Sequence, residues 1–174
     1  LGLVFIVVAV AFKFGAVPFH MWVPDVYQGA PTSVTALIGS LPKVAAMVFA
    51  FRILVTGLGL TAADGLMMFN LLAIASLLIG NLVAIMQTSV KRMLAYSTIS
   101  HMGFILLAFM GGQVGVEAAL YYALAYVVMG LAGFGVLMLL SDEAFECEEI
   151  SDLAGLNQRN AWYAFVMLLV MFSM

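Results

Sequence analysis

The chain has 174 residues, of which 66% are hydrophobic and 9% are charged, with a formal net charge of −3. Soluble domains are about 45–50% apolar and about 25% charged, so this composition excludes a soluble globular protein. The single cysteine, Cys147, excludes a disulfide framework, and the two histidines lie too far apart in sequence for a zinc site. With no glycine-rich phosphate loop and no basic stripe, we expect no bound metal, cofactor or nucleic acid.

The apolar segments are long enough to cross a bilayer as helices, which takes about 20 residues each. They predict about five full spans and a truncated sixth: residues 1–23, 33–55, 66–88, 93–111 and 116–140, with a partial span at 161–174. Open strands cannot satisfy their backbone hydrogen bonds in lipid, so we expect an all-α bundle of transmembrane helices in a single domain. The last segment is too short to span and no signal peptide is visible, so we interpret the chain as an internal fragment of a longer membrane protein.

The loops between the predicted spans differ in charge. The odd-numbered loops share one side and hold most of the loop cations: Lys91, Arg92 and Arg159 within residues 24–32, 89–92 and 141–160. The opposite side has only Arg52, and this imbalance predicts that the odd-numbered loops are cytoplasmic. The acidic run at 142–152 has two interpretations, a solvated loop or a docking surface for a partner.

The first predicted span contains a lysine and a proline, in VAVAFKFGAVPFHMWVPD. Lys13 lies about ten residues from either end, or about 15 Å, too far for its side chain to reach the interface comfortably. A lysine at this depth costs roughly 2.5–3.5 kcal/mol on insertion scales. Pro18 removes a backbone donor and frees the carbonyl of Phe14, so we expect the helix to be broken just after the lysine. Irregular backbone is tolerated there only in protein or beside a wet cavity, which predicts a hydrated interior site.

The second predicted span repeats this pattern in SLPKVAAM. Lys43 is again central, Pro42 frees another backbone carbonyl and is predicted to break the helix, and Ser40 lies on the same helical face as the lysine. A desolvated lysine gives up its proton more readily, so Lys13 and Lys43 are candidate proton carriers. The alternative for each is a lysine that only fixes helix packing.

His101 is the third titratable group in the middle of a span, in LAYSTISHMGFILLAFM. Ser97 and Thr98 precede it by four and three residues, so both hydroxyls are predicted to face the imidazole. Histidine titrates near neutral pH, which makes His101 a candidate relay; the alternative is a packing histidine. His20, beside Trp22 near the end of the first span, is a candidate accessory relay or an interfacial capping residue.

Two blocks of the sequence resemble a known family: FKFGAVPFHMWVPDVYQGAPTSVTALIGSLPKVAAM and GNLVAIMQTSVKRMLAYSTISHMGFILLA. They closely resemble the subunit N family of bacterial NADH:quinone oxidoreductase (respiratory complex I), which is related to Mrp-type cation/proton antiporters. The resemblance covers essentially the whole chain. The pattern VPFHxWxPDVYQGAP is specific, whereas KRxLAYSTISHxG is shared across the antiporter-like proteins.

The resemblance implies a fold of fourteen helices with two inverted five-helix repeats, in which this chain runs from the seventh helix, broken near Pro18, to the start of the twelfth. It implies that Lys13 and Lys43 are the family's lysines on the seventh and eighth helices, and that His101 lies on the tenth. The glutamate that pairs with the first lysine, and a further lysine on the twelfth helix, then lie outside this chain. Where related subunits carry titratable groups on the eleventh helix, this chain has Tyr122, Tyr126 and Gly130.

The link from His101 to the twelfth helix is then expected to depend on water and on the hydroxyls of Tyr122 and Tyr126. The resemblance implies a proton-translocating subunit of the bacterial inner membrane, in contact with lipid and with other membrane-arm subunits of complex I. NADH, FMN, iron–sulfur clusters and quinone then belong to the rest of that enzyme complex, with no redox centre in this chain. Two alternatives stay open, an Mrp-type cation/proton antiporter subunit and a structural scaffold subunit without its own proton path.

Overall fold

The computed structural model describes residues 2–57, 63–141 and 146–173. Leu1, residues 58–62, residues 142–145 and Met174 lie outside the described residues, and with them the ends of the predicted spans 1–23 and 161–174, part of the loop 141–160 and part of the acidic run. The helices of the described part are α1 (Gly2–Phe14), α2 (Trp22–Gly29), α3 (Thr32–Ala50), α4 (Ala63–Ile85), α5 (Val90–Ala108), α6 (Gly112–Leu140), α7 (Leu156–Arg159) and α8 (Ala161–Ser173).

Three irregular helical turns complete the described part. A π-helical turn continues α3, and two 3₁₀ turns precede α6 and α7: Phe51–Gly57, Phe109–Gly111 and Ile150–Leu153. Ser89 and Glu149 form an isolated β-bridge. The prediction of an all-α bundle of membrane helices is confirmed.

Four of the helical segments are long and apolar enough to cross a membrane: Thr32–Ile53, Met67–Ile85, Val90–Gly111 and Val114–Leu140. The predicted span 1–23 is divided in the structure, because α1 ends at Phe14 and α2 begins at Trp22. Helix α2 continues through most of the stretch 24–32 that we predicted as a loop. Helix α3 runs without interruption through Pro42, so the predicted break at Pro42 is wrong. The described part of the chain therefore has four long membrane helices and one interrupted helix, α1–α2.

The two parts of the interrupted helix pack mainly against different helices of the bundle. Helix α4 runs along α5, α3 along α6, and α8 along α6, while α2 packs against α5 and α1 against α3. Close contact between α4 and α5 depends on two glycines, since a Cβ at Gly80 would lie 2.9 Å from the Ser100 backbone nitrogen and one at Gly103 would lie 3.1 Å from the Ala73 carbonyl. The outer faces of the helices expose large apolar side chains, such as Phe5, as expected for faces in contact with lipid.

Helix α5 begins earlier than its predicted span at 93. Ser89 caps its first turn, with the Oγ atom accepting a hydrogen bond from the Arg92 backbone N–H at 3.4 Å, and serine is one of the preferred residues at this position. Lys91 therefore lies in the first turn of a buried helix and not in the predicted loop 89–92. The two basic residues had suggested a loop because charges at span ends are usually solvated.

Candidate functional site

Helix α1 ends where the sequence predicts a break. Gly15 follows Phe14 with a φ of +74°, a left-handed conformation that favours glycine. A Cβ at this position would lie 2.4 Å from Cγ2 of Val23, so the close approach of α2 also requires glycine. Residues 15–21 then form turns, with a cis peptide bond between Val17 and Pro18. The break lies directly after Lys13, as expected.

The backbone groups released by the break find partners inside the protein. The Val17 N–H donates to the hydroxyl oxygen of Ser76 on α4 at 2.9 Å, and the indole Nε1 of Trp22 donates to the Phe12 carbonyl at 3.1 Å. Ser76 itself is fully buried. Because these groups are satisfied by other helices, the irregular backbone can lie at membrane depth without exposing polar atoms to lipid.

Lys43 fills the break from the neighbouring helix. Its Nζ donates a hydrogen bond to the carbonyl of Phe14 at 2.9 Å, which is the carbonyl that Pro18 was predicted to free. The ammonium lies 5.2 Å from the ring centroid of Trp22, a distance at which a cation interacts with an aromatic face. The residue is 2% exposed. A buried amine at the C-terminus of α1 also faces the negative end of that helix dipole.

Lys13 lies one residue before the Phe14 carbonyl that Lys43 contacts, and its charge is close enough to Lys43 for the two to interact. It is exposed on the surface of this chain, where it lines a groove of about 420 Å³ between α1 and α3. The other residues of the groove are apolar: Ala9, Val10, Ala45, Ala46 and Phe49. The ion pairs within the described part of the chain do not include Lys13. Both lysines therefore lie at the end of α1, with Lys13 exposed and Lys43 buried.

His101, near the middle of α5, lies among hydroxyl groups of α5 and α6. Its Nδ1 is 2.6 Å from the hydroxyl oxygen of Tyr122, and its ring centroid is 5.1 Å from that of Tyr126. Tyr126 in turn shares a hydrogen bond of 2.6 Å with Thr98 Oγ1. A small cavity of about 80 Å³, lined in part by His101, both tyrosines and Ser173 of α8, borders the imidazole. This volume is enough for water.

Tyr27 on α2 is a residue of this cluster that sequence analysis missed. It is completely buried, and its hydroxyl lies beside those of Thr98 and Tyr126. The hydroxyl also lies against α3, since a Cβ at Gly39 would be only 2.9 Å from it. The stretch containing Tyr27 was predicted as a loop, so no buried position was expected there. Recognising Pro24 and Asp25 as first-turn residues of a helix would have indicated one.

Three further predicted residues do not join the hydrogen bonds of the His101 cluster in the described structure. The Ser40 hydroxyl donates to the Ala36 carbonyl of its own helix at 2.7 Å, so it is not directed at Lys43. Ser97 lines a different cavity, between α4, α5 and α8, so of the two predicted hydroxyls only that of Thr98 joins the His101 cluster. His20 is buried within the turns between α1 and α2, whereas an interfacial residue would be partly solvated.

Comparison with known proteins agrees with this arrangement of helices. The family model for the transmembrane region of NADH:quinone oxidoreductase and Mrp antiporters matches residues 1–174. The chain belongs to this family. Its members include proteins named NADH-quinone oxidoreductase subunit N, from Neisseria gonorrhoeae and Laribacter hongkongensis, which are 75% and 62% identical to all of this chain. The chain spans 36% of the length of each of these curated relatives.

Two solved structures of respiratory membrane complexes contain the same fold. A chain in respiratory complex I from Thermus thermophilus with bound aureothin superposes with a TM-score of 0.84 and 33% identity, over 98% of this chain and 37% of that chain. A chain in the membrane-bound sulfane sulfur reductase, an archaeal respiratory membrane complex, superposes with a TM-score of 0.85 and 26% identity. This match covers 97% of this chain and 35% of that chain. The fold of this NADH:quinone oxidoreductase/Mrp antiporter family member is therefore shared by membrane chains of two different complexes.

A second charged cluster of this family member lies at one end of the bundle. Lys91 is 0% exposed, and its Nζ lies 2.9 Å from a carboxylate oxygen of both Glu146 and Glu148. Glu146 also accepts hydrogen bonds from the backbone N–H of Thr32 at 2.9 Å and from its hydroxyl at 2.5 Å, which caps the start of α3. Two acids of the acidic run are therefore bound within the chain, and neither of the interpretations offered from sequence included this ion pair.

The three odd-numbered loops meet at this end of the bundle. Besides the contacts of Lys91, the Arg92 guanidinium lies 3.2 Å from Asp25 and donates to Gln28 at 2.9 Å. The backbone N–H of Val90 donates to the Glu148 carbonyl at 2.8 Å. The predicted grouping of these loops on one side agrees with these contacts, whereas their cytoplasmic location remains a prediction.

Glu146 makes a pH dependence of stability testable. The hydrogen bond from the Thr32 hydroxyl, followed by that from Lys91, lowers the pKa of Glu146 from its ordinary 4.5 to about 2. A lowered pKa in the folded state gives stability that is present above about pH 4.5 and is lost as pH falls toward about 2. Glu146 is 41% exposed, so we expect Glu146→Gln to cost at most about 1 kcal/mol at neutral pH.

Thermal unfolding of the full-length protein in detergent, wild type against Glu146→Gln, measures this difference across the acid range. The difference in stability should shrink between about pH 4.5 and about pH 2. Glu117→Gln is the matched control, since Glu117 is an exposed carboxylate on α6. A difference that stays constant down to about pH 2 would contradict the assigned ion pair.

Proposed function

We propose that the full-length protein is a proton-translocating membrane subunit of NADH:quinone oxidoreductase. The observation that carries the proposal is the position of Lys43, which is buried in the break of a membrane helix and donates to its last carbonyl, Phe14. The names of the relatives, NADH-quinone oxidoreductase subunit N, support this enzyme complex. A titratable group at a helix break can exchange a proton and change its contact with the backbone in the same step.

The proposed relay runs from Lys13 through Lys43 to His101. Two neighbouring ammonium groups repel one another, so a proton arriving at Lys13 favours the loss of a proton from Lys43. The hydrogen bond to the Phe14 carbonyl is stronger from a charged than from a neutral amine, so this loss weakens the contact that fills the break. Each charge moved against the potential costs about 2.3 kcal/mol per 100 mV, which requires such a gate. Water and the hydroxyls of Tyr122 and Tyr126 continue the path beyond His101.

The remaining parts of the machinery are proposed to lie outside this chain. The groove that presents Lys13 would receive the rest of the subunit, including a carboxylate that pairs with the lysine. The subunit lies in the bacterial inner membrane against lipid and other membrane-arm subunits, with its odd-numbered loops in the cytoplasm. NADH, FMN, iron–sulfur clusters and quinone act elsewhere in the complex, and this chain supplies no redox centre.

Replacement of Lys13 by alanine tests the proposal. In assembled complex reconstituted into vesicles, NADH-driven pumping is expected to slow by at least about 10²-fold, the usual contribution of a positioned proton-transfer group. Arg52→Ala is the control, because Arg52 is an exposed cation outside the relay. Unimpaired pumping in Lys13→Ala would mean that this lysine is structural and that the path lies elsewhere.

Two alternative functions make different predictions. The matching family includes Mrp antiporters, and an antiporter subunit without a redox partner would show sodium-dependent transport in vesicles without NADH. A scaffold subunit would need its lysines only for packing. That alternative fails if Lys13→Ala and Lys43→Ala assemble normally but lose pumping.

A further inference from the structure

We infer that the Tyr27 hydroxyl is the link that passes protons between Lys43 and the His101 cluster. The inference rests on the proposed function, because it places one more group in that relay. Lys43 lies on α3 and His101 on α5, and the described contacts of Lys43 lead to the break between α1 and α2 rather than to the imidazole. A relay between them therefore needs a group that reaches both helices.

Tyr27 meets this requirement from its position on α2. The ring packs edge-on against Phe134 of α6, with centroids 5.9 Å apart, and the residue is 0% exposed. Its hydroxyl is directed into the space between α3, α5 and α6, where it lies beside Thr98 and Tyr126. In this structure the hydroxyl makes no hydrogen bond of standard geometry within the described residues. A buried hydroxyl in this state costs free energy, so its position requires an explanation.

Gly39 is the residue of α3, the helix that carries Lys43, against which the Tyr27 hydroxyl lies. A Cβ on this residue would lie 2.9 Å from the hydroxyl oxygen, so the glycine leaves the room that the hydroxyl occupies. Gly39 precedes Lys43 by one helical turn, about 6 Å along α3. Helical side chains lean toward the N-terminus of their helix, which directs the lysine toward this position. The inference assigns bridging water to the interval between the Lys43 Nζ and the Tyr27 hydroxyl.

The side toward His101 is lined by hydroxyls of α5 and α6. Thr98 and Tyr126 share a hydrogen bond of 2.6 Å, and the Tyr126 ring lies against His101. A proton leaving the Lys43 ammonium through the water arrives at the Tyr27 oxygen as the original hydroxyl proton of Tyr27 passes to Thr98 or Tyr126. That pair passes a proton on through water of the small cavity to Tyr122, whose hydroxyl lies 2.6 Å from His101 Nδ1 and gives its own proton to the imidazole. Lys43 ends neutral, His101 ends with one additional proton, and each hydroxyl regains the proton that it gives up.

The test uses the full-length subunit in assembled complex, reconstituted in vesicles with pumping driven by NADH. Tyr27→Phe removes one oxygen and keeps the packed ring. We expect pumping per assembled complex to slow about tenfold, the factor that corresponds to a barrier about 1.4 kcal/mol higher. The solvent deuterium isotope effect on pumping should rise, because proton transfer becomes rate-limiting. A packing defect would lower the amount of assembled complex without raising the isotope effect.

The matched control is Tyr121→Phe, which makes the same change on the exposed face of α6 and should leave both rate and isotope effect unchanged. Gly39→Ala is the second variant, since it deletes no hydroxyl but displaces that of Tyr27. Like Tyr27→Phe, it should slow pumping and raise the isotope effect. If Tyr27→Phe assembles poorly, Gly39→Ala tests the role of the Tyr27 hydroxyl in its place.

Lys43→Ala separates the inference from the proposed function. If Lys43→Ala loses pumping while Tyr27→Phe and Gly39→Ala keep the normal rate and isotope effect, the assignment of Tyr27 is wrong and the proposed function stands. If Lys43→Ala pumps normally, the proposed function is wrong, and the inference fails with it.

Discussion

Replacement of Lys43 by alanine, methionine or arginine is expected to stop proton pumping, with rates at least about 10²-fold below wild type. Alanine and methionine remove both the titratable group and the donor to the Phe14 carbonyl. Arginine keeps a charge and a donor at the helix break, but its guanidinium does not release a proton at physiological pH. The arginine variant therefore separates proton transfer from structural support of the break.

The measurement is NADH-driven acidification of vesicles that contain the assembled complex, normalised to the rate of NADH oxidation. Leu41→Ala serves as the control, because Leu41 lies on the same helix with its side chain exposed. If Lys43→Arg pumps at the wild-type rate, Lys43 only supports the broken helix. A relay through its Nζ would then be excluded.

Removal of both carboxylates that face Lys91, in Glu146→Gln/Glu148→Gln, is expected to destabilise the protein by roughly 3–5 kcal/mol. The double variant leaves the ammonium of Lys91, which is fully buried, without the two charged partners that it has among the described residues. Lys91→Met should cost less, because the two carboxylates that it leaves are partly exposed and can be hydrated. Glu148→Gln alone should cost least of the three, since Glu146 still pairs with the lysine.

Chemical unfolding of the full-length protein in detergent measures these differences in free energy. Lys91→Met added to the double variant should restore part of the loss, because it removes the unpaired charge, and the resulting cycle isolates the coupling between the groups. Asp25→Asn is the control, since the ion pair of Asp25 with Arg92 is exposed and should contribute under about 1 kcal/mol. A double variant no less stable than Asp25→Asn would contradict the buried ion pair.

Features that follow from local chemistry could be predicted from the sequence. The break after Lys13 follows from the proline ring, which has no N–H to donate and excludes the helical carbonyl four residues before it. The membrane helices follow from apolar composition and from the need to satisfy every backbone group in lipid. The contact between Lys43 and the Phe14 carbonyl could be predicted only in part. The sequence identifies the carbonyl that the break frees, but not that Lys43 donates a hydrogen bond to it.

The partners of polar side chains on different helices were decided by the tertiary structure. The two carboxylates that pair with Lys91 lie more than fifty residues away from it in sequence. The Tyr27 hydroxyl lies beside a glycine of the next helix, and Thr98 rather than Ser97 joins the His101 cluster. Periodicity indicates which residues of one helix share a face. It contains no information on the rotation and crossing of helices, which determine the face that each one meets, and every contact of the candidate site depends on those two quantities.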